Sequence, residues 1–411
     1  MKVLIIHQHF NTPQKGGAIR SYYLAKALLN RGISTVVITA HNEKDYLKAE
    51  VDGIEVHYLP VSYDNKYAFA ARIISFLKFT VGAARLGEKF RDFDYCYAIS
   101  VPLTVGVAAI WIKKFYKVPF IFEVGDLWPE APIQLGFINN AIIQKALYSL
   151  EKRIYRSAEA IVALSASIKE HIENKVANKK VYLITNLADC NFFLPETKSP
   201  NLQEQLGVKG KFVVTYSGAV GIANGLDYFL ECANASRKAE LPIHFLLMGE
   251  GALRERLMRS AMQLGLSNLS FEDFGNRDRV KQIMNISDAS FICYKNVPVL
   301  QTGSPNKFFD ALAAGKLVVI NFGGWIKKEI ENNHCGIFVD PQHPTDFIKK
   351  IIPFLSDSKM LVHYQMNSRA LAEKKYSREL LSKKFVDIFV DRKSTRLNSS
   401  HLRLSRMPSS A

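Results

Sequence analysis

The sequence predicts an α/β protein built from two Rossmann-like, doubly wound domains that face each other across a cleft. Short apolar runs alternate with amphipathic helical segments along most of the 411 residues, a pattern typical of parallel sheets with crossover helices. A polar segment with two prolines, at 192–204, interrupts the alternation, which then resumes. Because ligands bind beyond the carboxyl ends of parallel strands, we expect the functional site in the cleft.

The first domain is predicted to span residues 1–192. Its first strand is the apolar run 2–7, and the helix at 17–31 ends at Gly32, a residue type common just after a helix. Further strands are predicted at 36–38, 54–59, 93–99, 119–124, 160–164 and 181–184.

The second domain is predicted to span residues 205–372, with strands at 212–216, 243–248, 269–271, 289–294 and 317–320. We expect residues 373–392 to form a C-terminal helix that packs back toward the first domain. Residues 393–411 are rich in serine and arginine and have no apolar period. They resemble a translated vector tail, so we treat them as non-native.

The composition excludes several classes of protein. No long apolar run is free of charges, and the apolar start at 3–6 is too short for a signal peptide. The five cysteines form no Cys-x-x-Cys pair, so a metal or redox centre has no support, and a cytoplasmic location is expected. The net charge is +16; four positive charges lie in the tail, which leaves a basic body of +12. Such a body suits phosphate-bearing substrates, an anionic membrane surface or nucleic acid.

A glycine pair follows the first predicted strand. Gly16 and Gly17 stand at the start of the first helix, where backbone amides attract anions. The spacing is not the G-x-G-x-x-G dinucleotide fingerprint, which counts against a dehydrogenase. The alternative is a surface loop with a glycine turn.

Acidic residues follow the predicted strand 119–124, at the edge where ligands bind. A carboxylate of Asp126 or Glu130 there could orient or deprotonate a hydroxyl group, because unpaired buried carboxylates are costly unless they are used. The alternative is that Asp126 caps the following segment and Trp128 packs in the core.

The segment 301–316 contains a predicted helix start. Ser304 is a good N-cap and Pro305 a good first helical residue, so we expect the helix to begin at 303–304. Its free amides, with Asn306 and Lys307, would form a phosphate site. Lys307 and Asp310 lie on the same face of this helix. Either this face points at the cleft, or the two residues form an ion pair on the surface.

Two further glycine turns follow strands of the second domain. Gly218 and Asn224 lie in the turn after 212–216, and Gly249 and Glu250 lie in the turn after 243–248. Both turns are either tight βα connections or contacts to a diphosphate.

Together these segments resemble the retaining glycosyltransferases of family 4, which have the GT-B fold. The resemblance covers the chain to about residue 392 and is closest to a bacterial subgroup of N-acetyl-fucosamine-type transferases of O-antigen and capsule assembly. It rests on the glycine pair with 20–25, the stretch 126–130, and 304–310.

The resemblance implies a nucleoside diphosphate sugar donor on the second domain, a saccharide or lipid-linked saccharide acceptor on the first, and no cofactor or metal. Asp310 matches the second acid of the family's E-x7-E element, which holds the donor ribose, whereas Thr302 stands at the first acid. The family often has an Arg and a Lys that bind the diphosphate at the positions near Ile222 and Asn224, and this chain lacks both. Lys307 and the helix amides are expected to substitute for them.

The basic, aromatic segment 66–91 either lies on an anionic membrane or is a core helix whose cations reach solvent. Two other functions are weighed: a nucleotide-sugar 2-epimerase of the same fold, which would use His7 and His9, and a non-catalytic nucleotide-sugar-binding relative. Nucleic-acid binding has no recognition motif in the sequence.

Overall fold

The computed structural model describes residues 1–17, 19–64 and 67–404, with side chains described as far as Arg392. It confirms the predicted class, because two α/β domains each carry their own parallel or mostly parallel sheet. No helix among these residues is long and apolar enough to cross a bilayer.

Among the described residues the first domain has eight strands; helices separate most of them, and the second, third and fourth strands follow one another directly. The strands are β1 (Lys2–Ile6), β2 (Ser34–His41), β3 (Leu47–Val51), β4 (Ile54–Pro60), β5 (Tyr95–Ile99), β6 (Phe120–Val124), β7 (Ala160–Ala163) and β8 (Val181–Leu183). The helices are α1 (Arg20–Asn30), α2 (Phe69–Leu86), α3 (Val105–Tyr116), α4 (Glu130–Gln134), α5 (Ala141–Ser157) and α6 (Ala166–Lys175). The sheet order is β3-β4-β2-β1-β5-β6-β7-β8, and only the β3–β4 pair is antiparallel.

The second domain holds six parallel strands. They are β9 (Phe212–Ser217), β10 (Ile243–Met248), β11 (Leu269–Glu272), β12 (Ala289–Ile292), β13 (Leu317–Ile320) and β14 (Gly336–Phe338), in the order β11-β10-β9-β12-β13-β14. The remaining helices are α7 (Pro200–Gln205), α8 (Asp227–Lys238), α9 (Arg254–Gln263), α10 (Arg277–Ile286), α11 (Asn306–Ala313), α12 (Trp325–Asn332), α13 (Thr345–Ser356), α14 (Ser358–Leu371) and α15 (Arg378–Leu404).

The central strands form as continuous apolar runs because helices cover both faces of each sheet. Every residue of β5, β6, β10 and β13 is buried. In each domain the strand that begins it, β1 or β9, pairs with parallel neighbours on both sides, as in a doubly wound sheet. This topology brings the loops that follow β1, β6, β9 and β12 to the cleft.

The last helix, α15, lies against the first domain. Its Phe385 ring is 4.8 Å from the ring of Tyr97 on β5, and Phe389 is 5.9 Å from Tyr95. One apolar cluster therefore runs from the first sheet through α15 to Phe308 and Phe309 of α11 in the second domain. The helix extends through Leu404, beyond the predicted boundary at 392, while 405–411 of the predicted tail lie outside the described residues.

Three local predictions differ from the structure. Strand β3 was not predicted because it is a mostly exposed edge strand that carries Lys48 and Glu50, so it lacks an apolar pattern. The short strand β14 was missed as well. The segment predicted as a plain linker contains the buried Phe193 and the helix α7, which Ser199 caps through a hydrogen bond from the Leu202 amide.

Candidate active site

A buried ion pair lies beneath the cleft in the first domain. Glu123, at the end of β6, is 1% exposed and accepts hydrogen bonds from Arg20 at 3.0–3.2 Å and from Tyr97. Arg20 also donates to the Ile184 carbonyl at 3.0 Å. Glu123 therefore has a charged partner. Through Arg20, this ion pair connects the start of α1 to β6 and to the loop after β8.

Asp126 lies at the mouth of the cleft, just beyond β6. Its side chain reaches solvent in the cleft, yet both domains surround it, and this desolvation raises its pKa. It borders a cavity of about 520 Å³, the first cavity, and an open groove of about 980 Å³ that runs past His9 and Lys15. The alternative that Asp126 caps a helix does not apply, since α4 begins only at Glu130 and has no side-chain cap.

Glu130 is not brought to the cleft. It is the first residue of α4 and borders neither cavity of the cleft. Burial and a hydrogen bond with Glu130 raise the pKa of Tyr148, on α5, to about 12. Of the two carboxylates predicted as catalytic, only Asp126 therefore lines the first cavity.

The first cavity has largely aromatic and apolar walls. Phe69, Phe76, Trp128 and Phe137 line it, and the rings of Phe76 and Trp128 meet edge to face at 6.2 Å. Trp128 therefore contributes to a cavity wall rather than only to the core.

A second cavity, of about 580 Å³, lies between the domains. Most of the residues predicted to bind a donor line it: Gly16, Gly17, Gly218, Asn224, Glu250, Pro305, Asn306, Lys307 and Asp310. It communicates with the first cavity, because Arg20, Tyr294, Pro305 and Asn306 line both. A ligand in the second cavity can thus meet one in the first cavity near Asn306.

Lys307 projects from the first turn of α11 into the second cavity. Its ammonium donates to the Tyr216 hydroxyl at 2.6 Å and lies 4.1 Å from the centre of that ring. Desolvation lowers the pKa of Lys307 to about 7. A Cβ atom on Gly218 would lie 3.1 Å from the ammonium, so glycine makes room for Lys307 at this position. The alternative of a surface ion pair between Lys307 and Asp310 does not hold, because the ammonium contacts Tyr216 inside the cavity.

Asp310 is one turn farther along α11. Desolvation raises the pKa of Asp310 to about 7, and Asp189 adds to the rise whereas Arg277 opposes it. The carboxyl group is therefore a hydrogen-bonding group on the wall of the second cavity whose charge changes near neutral pH.

The start of α11 corrects one prediction. The helix begins at Asn306, not at 303–304, and no side chain caps it. The Ser304 hydroxyl instead accepts a hydrogen bond from the Asn186 amide at 3.3 Å, across the domain boundary, and Ser304 lines the first cavity. Since no side chain occupies the helix N-terminus, its amides remain available to a ligand.

The other predicted positions have mainly structural contacts. Gly249 borders neither cavity; a Cβ atom there would lie 1.9 Å from the Gly218 carbonyl oxygen, so glycine allows the two turns to touch. Asn224 accepts a hydrogen bond from the Gly221 amide at 3.2 Å. Thr302, which replaces the first acid, donates to the Val299 carbonyl at 2.7 Å and borders neither cavity.

One cluster was missed in the sequence. Arg277, which lines the second cavity, pairs with Asp189, and its guanidinium lies 3.9 Å from the ring centre of Phe192. Tyr23 donates to Asp189 at 2.9 Å, and Arg378 approaches the same carboxylate at 3.0 Å. We call these four polar residues the interdomain cluster. Nothing in the sequence signals it, because the partners are far apart in the chain.

The two histidines named for the epimerase alternative line different parts of the cleft. His7 hydrogen-bonds Ser21 at 2.8 Å and lines the first cavity, whereas His9 lines the groove. Burial lowers the pKa of His7 to about 3 and that of His9 to about 4, so both are neutral at pH 7. Neither borders the second cavity. In the part of the chain that the structure describes, no group of three or more His, Cys, Asp or Glu could hold a metal ion.

Comparison with family models divides the chain at the same place as the structure. Residues 15–186 match a glycosyl transferase 4-like domain, and residues 198–371 match the glycosyl transferases group 1. The two matched segments correspond to the two domains, and residues 187–197, which we call the crossover, lie between them.

Two curated relatives are similar to the chain over part of their length. The chain is 28% identical to TuaH of Bacillus subtilis, which is named for teichuronic acid biosynthesis. The match spans 233 residues, or 56% of this chain and 56% of that protein. The chain is also 22% identical to WcaI of Escherichia coli, which is named for colanic acid biosynthesis. That match spans 275 residues, or 65% of this chain and 66% of that protein. The chain thus spans between half and two thirds of these relatives.

Solved structures share the fold over nearly the whole chain. Sucrose-phosphate synthase from Thermosynechococcus elongatus has a TM-score of 0.77 at 14% identity, covering 96% of this chain and 99% of that one. HepE of Anabaena, in complex with UDP and glucose, has a TM-score of 0.70 at 17% identity, covering 95% and 99%.

Proposed function

We propose that this chain, which has the GT-B fold and whose two domains match glycosyltransferase family models, acts as a glycosyltransferase and moves a sugar from a nucleoside diphosphate sugar to a saccharide or lipid-linked saccharide. The observation that carries the proposal is the second cavity, where Lys307 and the free amides of α11 face two glycine turns. A diphosphate is the group that such a set of cationic and N–H donors would hold. The acceptor then occupies the first cavity, beside Asp126.

The chemistry follows from where charge develops. When the bond between the sugar C1 and the diphosphate oxygen breaks, negative charge grows on the diphosphate, and Lys307 with the helix amides stabilises it. The acceptor oxygen forms the new bond to C1, and its proton passes to the departing phosphate oxygen if attack occurs on the same face, which retains configuration. Asp126 orients that hydroxyl by accepting its hydrogen bond.

The relatives support a proposal for the donor and product classes. HepE binds UDP, and TuaH and WcaI are named for polysaccharide biosynthesis. We propose a nucleotide sugar of the hexose or N-acetylhexosamine type, with the N-acetyl-fucosamine subgroup as the first to test, and a product in bacterial surface polysaccharide. We propose that neither a cofactor nor a metal is needed, because Lys307 supplies positive charge at the diphosphate; activity that survives excess EDTA is the expected result.

A membrane-facing surface would fit a cytoplasmic enzyme that uses a lipid-linked acceptor. Along α2, Ile74, Leu77 and Val81 are 49–54% exposed, and Trp111 and Phe115 of α3, whose rings are in contact, are about equally exposed. Lys66, the start of the predicted segment 66–91, lies outside the described residues. We expect Leu77→Glu to abolish co-sedimentation with anionic phosphatidylglycerol vesicles; undiminished binding would contradict a peripheral membrane contact.

The donor assignment is tested by thermal shift against UDP, GDP and dTDP and their sugar conjugates. One nucleotide should raise the melting temperature, because a ligand of the folded state stabilises it. Lys307→Ala should weaken that nucleotide by about tenfold or more, the typical value of a charge-assisted contact. The matched control is Lys328→Ala, an exposed lysine of α12 in the same domain, which should leave affinity unchanged. Equal affinity of both variants would refute the phosphate assignment, and binding without turnover would support the non-catalytic relative.

A further inference from the structure

The wall of the first cavity opposite Asp126 carries one cation whose role the proposed function does not explain. Arg72, in the first turns of α2, lines this cavity. Its Nε–H is buried and has no hydrogen-bond acceptor among the described residues. A buried donor without an acceptor is costly, so a ligand that supplies acceptor atoms would be favoured at this point.

Aromatic side chains hold the Arg72 guanidinium in place. Its central carbon lies 5.9 Å from the ring centres of both Phe69 and Phe137, and these two rings stack at 5.4 Å with an angle of 7° between their planes. Aromatic contacts fix the plane of a guanidinium without neutralising its charge. The positive charge is thus positioned at the cavity wall and remains available to an anion.

An aromatic wall separates Arg72 from the reacting end of the cavity. Trp128, two residues after Asp126, touches Phe76, which lies one helical turn after Arg72. Asp126 itself lies beside Gly303 of the second domain, since a Cβ atom on that glycine would be 3.9 Å from its carboxylate. A sugar ring on the Trp128 and Phe76 faces would therefore have Asp126 at one end and Arg72 at the other.

We propose that Arg72 binds an anionic group of the acceptor, so that the acceptor is a glycoside with a negative charge on the sugar next to, or attached to, the one that reacts. This inference rests on the proposed function. The anion has two possible sources with the same chemistry: the phosphate of a lipid-linked sugar or the carboxylate of an acidic sugar. In the first case the lipid would leave the cavity past Phe69 and Phe137 toward the exposed apolar face of α2.

The test compares anionic probes with neutral counterparts by calorimetry, using the full chain in the Lys307→Ala background so that diphosphates are disfavoured in the second cavity. The pairs are farnesyl diphosphate with farnesol, and digalacturonic acid with galactobiose. We expect the anion of one pair to bind at least tenfold more tightly than its neutral counterpart. Arg72→Gln should remove that preference, Arg72→Lys should keep part of it, and Arg85→Gln, the same change at an exposed site on α2, should not alter it.

A second measurement needs no variant at position 72. Phenylglyoxal labelling of the wild-type chain, read by mass spectrometry, should show Arg72 protected by the bound anion while Arg85 is labelled equally with and without it. Preference for farnesyl diphosphate identifies a lipid phosphate, and preference for digalacturonic acid identifies an acidic sugar. No preference in either pair, or a preference that survives Arg72→Gln, overturns the inference. Nucleotide stabilisation of the wild-type chain, measured in parallel, shows whether the proposed function itself stands.

Discussion

Two residues on one turn of α11 show how the cleft changes the behaviour of charged side chains. Burial moves the pKa of Lys307 and the pKa of Asp310 to about 7 from opposite directions. At pH 7, each group is therefore present in both its charged and its neutral form in the unliganded protein. A diphosphate would favour the charged lysine, so donor binding at pH 8 is expected to take up a proton there.

Asp310→Asn is expected to stabilise the fold while weakening donor binding. The raised pKa means that the unfolded chain releases this proton first, so the carboxyl group lowers stability progressively as pH rises from about 4 to about 7, and by a constant amount above that. Removing the charge should therefore raise the free energy of unfolding by about 1–3 kcal/mol at pH 8 and by much less at pH 4.

Urea denaturation of the wild type and the variant at both pH values checks this expectation. The control is Asp273→Asn, whose carboxylate is 94% exposed and pairs with Arg254 at the surface. A variant that is less stable than wild type at pH 8 would show that the Asp310 carboxylate is held by favourable contacts rather than by a cavity built for a ligand.

Single residues were predictable from the sequence where local chemistry decided their place. Lys307 and Asp310 follow a loop that the fold carries to the cleft, and the structure brings them there. Glu130 and Ser304 were not predictable, since a short helix directs the first toward Tyr148 and a contact across the domain boundary engages the second. Such choices depend on partners that the local sequence does not name.

At the scale of elements, the glycine turns that follow β9 and β10 are coupled by direct backbone contact. Gly249→Ala would place a Cβ atom 1.9 Å from the Gly218 carbonyl oxygen, and backbone on both sides would have to move. We expect a loss of about 2–4 kcal/mol in the free energy of unfolding. Donor affinity should fall too, because Gly218 lines the second cavity beside Lys307.

Gly265→Ala separates the two causes of such a loss. Gly265 also has a positive φ, +62°, but a Cβ atom there meets no atom within 4 Å. The Gly265→Ala variant should therefore lose only about 1 kcal/mol in the free energy of unfolding, because alanine is disfavoured in the left-handed conformation. Its donor affinity should stay unchanged. Chemical denaturation with nucleotide titration measures both quantities. Equal losses in the two variants would mean that the contact between the turns is not what requires glycine at 249.

Helices and strands were predictable where their burial is reflected in an apolar sequence pattern. The strands at the centre of both sheets are continuous apolar runs and were located within a few residues. The edge strand β3 was not, because its ladder partner β4 rather than its own side chains holds it in place.

At the scale of the whole molecule, the interdomain cluster holds the two domains in the arrangement that forms both cavities. Asp189, in the crossover, is 3% exposed and meets three partners: Tyr23 from the first domain, Arg277 from the second, and Arg378 at the start of α15. One carboxylate thus joins the first domain, the second domain and the start of α15. Because Arg277 also lines the second cavity, closure and donor binding share this residue.

Asp189→Asn keeps the shape of the side chain and removes the charge that Arg277 and Arg378 share, so that Arg378 keeps only its exposed partner Glu379. We expect the free energy of unfolding to fall by about 2–4 kcal/mol, as when one partner of a buried ion pair is removed. We also expect the radius of gyration from X-ray scattering to rise in the unliganded protein and to return toward the wild-type value when saturating nucleotide closes the cleft. Asp273→Asn, whose salt bridge with Arg254 lies within the second domain, should change neither quantity appreciably. An Asp189→Asn chain that is destabilised but scatters like wild type would assign the cluster to fold stability alone, since loss of the closing contact must be visible as a change in domain separation.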